Sequence, residues 1–173
     1  MAARAEDELR AICGDASRLA AFAPYAILDT PHEADYDDLA RLAAQVCAAP
    51  IALISFVLAE RQWFKAEMGL GVSETALDAS ICRHLLLSPG LTVIPDTRAD
   101  ARLACNPLVE AEPGLRFYAG HLLTSREGVP LGTLCVLDHR PRPDLEEAQR
   151  SALAALARQV MTQLELRRAL REQ

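Results

Sequence analysis

Two segments of the chain space their apolar residues at three and four positions, the period of an amphipathic helix. The first covers residues 32–48, and the second runs from about residue 144 nearly to the C-terminus. The stripe of the first consists of Leu39, Leu42, Ala43 and Val46. The stripe of the second consists of Leu153, Leu156, Val160 and Leu164, with Leu145 and Met161 beside it. Each stripe predicts a helix with one buried face. Shorter helices are predicted over residues 4–13 and 15–25.

The helix at 32–48 has a start signal in the sequence. Thr30 is a candidate N-cap, Pro31 takes the first helical position, and Glu33 stands where a capping box needs an acid. A second short helix is predicted from a cap at Asp78 or Ser80 to about Leu87.

Short apolar runs predict five or six strands between these helices. They cover residues 51–58, 62–69 and 91–96, and a hairpin of residues 115–124 and 131–137 turns at "REGVP". Residues 70–80 and the polar stretch 97–113 read as loops. In the hairpin, Phe117 and Tyr118 must face opposite sides of the sheet. Strands mostly in hairpins, with helices between them and at both ends, predict an α+β layered domain.

Composition narrows the class of protein. The 173 residues suffice for one domain, and the net charge of −6 without a basic patch argues against nucleic acid as a partner. The longest apolar run is broken by Pro50 and too short to cross a membrane. Five cysteines without a CxxC pair, and no visible signal peptide, predict a cytoplasmic protein with reduced thiols.

The final helix has an apolar face that exceeds what one small domain covers, and the first helix is similar in kind. Together they predict a helical bundle between two copies, hence a homodimer. The alternative is that both helices pack on their own sheet.

The order of the motifs resembles bacterial GAF domains. The stretches that carry the resemblance are "YAILDTPHEADYDDLARLAAQVCAAPIALISFVLAERQWFKAEMGL", "SICRHLLL", "VIPDTRADARLACNPLV" and "LRFYAGHLL…GVPLGTLCVLDHRPRP". The resemblance covers residues 17–165 and leaves 1–16 as an N-terminal helical segment and 166–173 as a tail. It implies a central antiparallel sheet of about six strands, with terminal helices on one side and loops plus short helices over the other.

The resemblance also implies a function in signal transduction. Such domains sense a small molecule and pass the signal to a kinase or cyclase effector. The chain leaves no room for that effector, so we expect a stand-alone sensor or a fragment of a larger protein. Two known ligand types lack their motifs here. The cyclic-nucleotide set of residues is missing, and a bilin would need a cysteine directly followed by histidine, whereas Arg83 separates Cys82 from His84. The cofactor therefore stays unknown.

Cys82 and Cys105 are the cysteines placed for chemistry. Cys82 lies at a helix start, which lowers a thiol pKa, or else is a small buried residue. Cys105 lies in the polar loop, where the commonest form of the subfamily has Asp before Asn-Pro-Leu. If the two thiols met, disulfide exchange would be open to them, as in the GAF-fold enzymes that reduce free methionine-R-sulfoxide. A thiol enzyme and a ligand-free interaction module are therefore the alternatives to a sensor.

The remaining candidates form a ligand platform. Arg116 and Tyr118 share a face of their strand, and the favoured alternative is that Arg116 pairs with Asp96 or Asp100 and only pins the loop. Of Trp63 and Phe64, one should face inward and the other outward, and His84 lines the pocket or the core. The full predicted ligand-binding set is Trp63, Phe64, Cys82, His84, Asp96, Asn106, Arg116 and Tyr118. No metal site is predicted, because Cys82 and His84 are the only close Cys–His pair.

Overall fold

A six-stranded antiparallel sheet forms the centre of the molecule. The computed structural model describes all residues from 1 to 173. The strands are β1 (Ile51–Val57), β2 (Arg61–Met68), β3 (Glu74–Ala76), β4 (Leu91–Ile94), β5 (Phe117–Thr124) and β6 (Pro130–Asp138). They lie in the order β3-β2-β1-β6-β5-β4. The predicted α+β class with about six strands is confirmed, and β3 falls in a stretch predicted as loop.

Five α-helices accompany the sheet. They are α1 (Ala2–Gly14), α2 (Ala16–Ala20), α3 (Ala34–Val46), α4 (Pro107–Glu110) and α5 (Glu147–Arg171). Five short 3₁₀ helices interrupt the loops: Ala23–Tyr25, Leu77–Ala79, Cys82–Leu85, Thr97–Ala99 and Ala101–Leu103. The predicted short helix ending near Leu87 is thus two separate 3₁₀ helices. No helix has the length and apolarity to cross a membrane.

Each face of the sheet carries its own hydrophobic core. The helix face packs against α3 and α5, and Phe56, Trp63 and Phe117 are among its buried side chains. The opposite face, here called the loop face, buries Phe64 and Tyr118 beneath the loops. Phe117 and Tyr118 therefore face opposite sides, as strand alternation predicts. The expectation that Trp63 or Phe64 faces outward is wrong, because both faces of β2 are covered and both residues are buried.

The last helix follows the predicted stripe closely. α5 begins at Glu147, where Glu146 and Gln149 form a reciprocal capping box. Its buried residues are Leu153, Ala157, Val160 and Leu164. Leu156 and Met161 are half-buried against the same core. The 3.6-residue period thus located the buried face of this helix.

Helix α3 differs from its prediction in its N-cap and in its buried face. Its N-cap is Glu33 without a side-chain cap, and Thr30 instead donates to the carbonyl of Ile27 and accepts from Lys65 Nζ at 2.9 Å. Leu42 and Val46 of the predicted stripe are exposed. The buried face is turned towards Tyr36, Ala40, Ala43 and Ala44. Alanines allow the helix to approach the sheet, so the smaller residues fill the interface.

The first helix lies on the loop face. Cys13 of α1 is buried in the loop-face core, and Glu6 pairs with Arg83 Nη1 at 2.8 Å. Residue Arg83 belongs to the 3₁₀ helix Cys82–Leu85, which covers the sheet. α1 and α5 thus contact opposite faces, whereas the resemblance had suggested terminal helices on one side.

Candidate functional site

Seven buried polar side chains converge on the loop face of the central strands. Strands β1, β2, β5 and β6 contribute five of them, and the segment that crosses above the sheet contributes the other two. We call them the polar cluster; its members are Ser55, Gln62, Ser80, Cys82, Tyr118, Thr133 and Cys135. None is more than a few per cent exposed. Buried polar groups are costly unless they are hydrogen-bonded, so their contacts decide what the cluster does.

Cys82 lies at the centre of one half of the cluster. Thr133 Oγ1 donates to its sulfur at 3.1 Å, and the Tyr118 hydroxyl does so at 3.3 Å. The sulfur of Cys135 lies 3.9 Å away. Two hydroxyl donors and a neighbouring thiol therefore surround one cysteine sulfur in a site closed to bulk water.

Gly120 makes room for the phenol. A Cβ at this position would lie 2.4 Å from the Tyr118 hydroxyl oxygen, closer than atoms approach. Because the Tyr118 ring lies along its own strand over Gly120, its hydroxyl is held within 3.3 Å of the Cys82 sulfur. Gly120 therefore permits a close approach of the Tyr118 side chain to its own strand.

These contacts shift the acidities in opposite directions. The hydrogen bond from Cys135, with those from Thr133 and Tyr118, lowers the pKa of Cys82 to about 6 against the opposing effect of burial. Burial raises the pKa values of Cys135 and Tyr118 well above their usual range. Donors that stabilise a thiolate thus concentrate on one sulfur of the pair.

The other half of the cluster is a chain of neutral groups. Gln62 Oε1 accepts from Ser80 at 2.8 Å and from Ser55 at 3.2 Å, and its amide donates to Thr75. Ser80 also accepts from the backbone of Arg83. Each group has partners within the protein, so this half fixes the 77–83 segment on the sheet.

The 97–113 loop closes the site from above. Asn106 accepts from the backbone of Leu108 as the N-cap of α4, and its amide donates to the carbonyl of Ala79. Thr97 donates to the carbonyl of Leu115 at 2.6 Å. The space left beneath this cover is about 10 Å³, lined by Cys82 and Tyr118 among mostly apolar residues. That volume admits about one water molecule.

The structure brings together only part of the predicted ligand set. Cys82 and Tyr118 meet in the polar cluster, while Trp63 lies on the helix face. Arg116 forms a salt bridge with Asp96 at 3.0 Å at the edge of the loop. This pairing matches the alternative in which Arg116 pins the loop, and the hydrogen bond lowers the pKa of Asp96.

His84 and Cys105 lie on the outer side of the cover. Cys105 is exposed, and both line a surface groove of about 760 Å³ between the 101–105 segment and α1. The thiol neighbour of Cys82 is thus Cys135, a residue outside the predicted ligand-binding set. The sequence did contain a sign that Cys135 belongs to a polar site. Thr133, Cys135 and Leu137 share one face of β6, and Thr133 is the polar exception in an apolar run.

The chain belongs to the GAF domain family, which matches residues 5–164. Among curated proteins, it is 39% identical over 129 residues to a cyclic di-GMP phosphodiesterase from Pseudomonas aeruginosa. That match covers 75% of this chain and 22% of the relative, so the chain spans about a fifth of that protein's length. The segment 1–16 is partly inside the family match, which begins within α1.

Solved structures agree on the fold. The GAF domain of a phosphoenolpyruvate-protein phosphotransferase from Acinetobacter superposes with a TM-score of 0.62 at 18% identity, covering 88% of this chain and 93% of that one. A free methionine-R-sulfoxide reductase from Neisseria meningitidis superposes with a TM-score of 0.60 at 17% identity, covering 78% of each chain. At these identities the likeness concerns the fold alone.

Proposed function

We propose that this chain is a regulatory domain that controls a cyclic di-GMP phosphodiesterase-type effector. The observation that carries the proposal is the 39% identity to a protein of that name, over three quarters of this chain. The chain's own buried groups are engaged in holding the fold together, which fits regulation better than catalysis. Five unpaired cysteines fit the cytoplasmic location that this role includes.

The α5 helix is the proposed output element. Its buried stripe packs on the same sheet that carries the polar cluster, and its last turns expose Leu166 and Leu170. Arg167 binds the carbonyls of Tyr25 and Ala26, which ties these turns to the domain. A change in the sheet would therefore reach the apolar end of the helix through rigid contacts. We include in the proposal a homodimer formed through this end.

Cells that produce the protein carrying this chain provide the test. Intracellular cyclic di-GMP would be measured by mass spectrometry in the wild type, in a deletion strain, and in strains with Leu166→Glu and Leu170→Glu together. We expect the deletion to change the level and the double variant to behave like the deletion. Leu87→Glu, which places the same charge on the loop side, should behave like the wild type. An unchanged level in the deletion strain would contradict the proposal.

Binding of a small molecule under the 97–113 loop is a second candidate. The observation that favours it is the small cavity beneath the loop, where the polar side chains of Cys82 and Tyr118 meet mostly apolar residues. A ligand larger than water requires the loop to open, since the cavity holds about 10 Å³. Native mass spectrometry of gently purified protein tests it. A bound small mass that is lost in Thr133→Val would support binding, and a bare protein would favour the interaction module.

The thiol-enzyme alternative with Cys82 and Cys105 draws no support from the geometry. Cys82 is buried and surrounded by Tyr118, Thr133 and Cys135, whereas Cys105 is exposed on the outer side of the cover.

A further inference from the structure

Two cysteine sulfurs lie so close together that a small movement would bring them to bonding distance. Cys82 and Cys135 are separated by 3.9 Å between sulfurs, and both are free. Cys135 is fixed on the central strand β6, between β1 and β5, while Cys82 begins the 3₁₀ helix above it. A bond between them would therefore link the covering segment to the middle of the sheet. No assigned function uses this pair.

The pair also has unequal surroundings. The hydroxyls of Tyr118 and Thr133 donate to the Cys82 sulfur at 3.3 and 3.1 Å, whereas the Cys135 sulfur has its hydrogen-bond contact with the Cys82 sulfur alone. Hydroxyl donors stabilise the negative sulfur of a thiolate, and the thiolate is the form that attacks oxidants. These surroundings favour Cys82 as the thiol that attacks the oxidant and Cys135 as the resolving thiol that then forms the disulfide.

We propose that Cys82 and Cys135 form a reversible dithiol–disulfide site whose oxidant is a small hydroperoxide. The Cys82 thiolate attacks one peroxide oxygen, which breaks the O–O bond and leaves a sulfenic acid on Cys82 and hydroxide, or alkoxide from an organic peroxide. The Cys135 sulfur then attacks the Cys82 sulfur and displaces water. With hydrogen peroxide, two thiols and one peroxide give one disulfide and two waters, and a dithiol reductant restores the thiols.

Access to the site is through the loop cover. The small cavity over Cys82 and Tyr118 is bounded on its outer side by Leu70 and Leu108, which are both half-buried. Hydrogen peroxide is little larger than the single water that this space admits. Displacing the apolar side chains of the cover is therefore enough to admit it, whereas a bulky hydroperoxide needs the whole loop to open. The site should consequently prefer the smallest oxidants.

The test uses the full chain and hydrogen peroxide. Reduced protein would be exposed to the peroxide, quenched with catalase, denatured, alkylated and mapped by mass spectrometry. We expect the loss of two hydrogen atoms, a peptide that joins Cys82 to Cys135, and full reversal by dithiothreitol. The proposal is overturned if both residues remain alkylated while Cys105 alone is oxidised.

Variants assign the two roles. In Cys135→Ser, dimedone should trap a sulfenic acid on Cys82, while Cys82→Ser should leave Cys135 unmodified. Tyr118→Phe should slow the reaction about tenfold, the effect of losing one hydrogen bond to a charged sulfur. Cys47→Ser is the matched control, since Cys47 is also buried but lies in the helix-face core, and its rate should equal that of the wild type. A sulfenic acid trapped on Cys135 in Cys82→Ser would overturn the attacking role proposed for Cys82.

The site stands independently of the proposed regulatory role. Peptide mapping needs no effector, so unchanged cyclic di-GMP in cells would leave the disulfide result untouched. Conversely, failure to form the disulfide would leave the regulatory proposal as it is.

Discussion

Three arginine side chains bind main-chain carbonyl groups at places where elements meet. Arg18 is buried and donates to the carbonyls of Ile12, Cys13, Val57 and Pro130 at 2.7 to 3.2 Å. Arg142 binds those of Cys47 and Ala48, and Arg167 binds those of Tyr25 and Ala26. A guanidinium offers five donors in a fixed plane, so one side chain satisfies several carbonyls at once.

Replacing Arg18 by lysine should therefore destabilise the protein. Lysine keeps the charge but has three donors on one nitrogen, so carbonyls of the α1–α2 junction and of β1 lose their partner in a buried site. We expect a loss of about 2–4 kcal/mol in the free energy of unfolding, measured in urea. Arg4→Lys at an exposed position should stay within about 0.5 kcal/mol. Equal stability of the two variants would contradict the role assigned to Arg18.

At the scale of elements, β1 and β6 approach each other closely at Gly132. A Cβ there would lie 1.8 Å from the carbonyl oxygen of Ser55, a backbone atom that the central sheet holds in place. Gly132→Ala should therefore cost about 3 kcal/mol in thermal or urea unfolding. Gly14→Ala is the control, because open space surrounds that position at the end of α1. It should be neutral or stabilising by up to about 1 kcal/mol. A neutral Gly132→Ala would show that the two strands separate easily.

The junction of α1, the Cys82–Leu85 helix and the 100–102 segment should be sensitive to acid. Burial, with Arg83 and Arg102 nearby, lowers the pKa of His84 from 6.5 to about 4. Below pH 6.5 the unfolded chain binds a proton at this site and the folded chain does not, so stability falls as the pH falls from 6.5 to 4. The contribution is at most about 3 kcal/mol, and Glu6 and Asp100 oppose part of the shift.

His84→Asn removes this linkage and tests it. Unfolding free energies measured between pH 7 and pH 4 should decline less steeply in the variant than in the wild type. Parallel curves for His84→Asn and the wild type would show that His84 is protonated in the folded state.

At the scale of the whole molecule, large apolar side chains are exposed at several places, among them α3, the loop side and the end of α5. Leu166 and Leu170 lie at the end of α5, and Leu87 lies on the loop side near the groove beside α1. If two copies associate through the end of α5, Leu166→Glu with Leu170→Glu should give monomers in sedimentation velocity. Leu87 is exposed to a similar degree as Leu170, and Leu87→Glu should leave the association state unchanged. Dissociation by Leu87→Glu alone would move the interface to the loop side.

The buried helix positions were predicted correctly where the local apolar period was enough to locate them. Leu153, Val160 and Leu164 were located because a helix of 25 residues repeats its pattern many times. The prediction failed at Leu42 and Val46, because two nearly equivalent faces of α3 compete and the sheet selects the one with alanines. The Thr30 cap failed for a similar reason, since buried Lys65 takes the hydroxyl for its own hydrogen bond.

The sequence alone determined the class of fold and the family, because both depend on periods and motifs that neighbours along the chain carry, whereas it left the strand count at five or six and missed β3. The tertiary structure alone decided which thiol faces Cys82. Cys135 follows it by 53 positions, and only the pairing of β6 with β1 and β5 brings the two sulfurs to 3.9 Å. It also decided that α1 covers the loop face, because that choice depends on the ion pair of Glu6 with Arg83 and on a core shared across the sheet. Long-range contacts leave no local period, and so they could be read only from the folded chain.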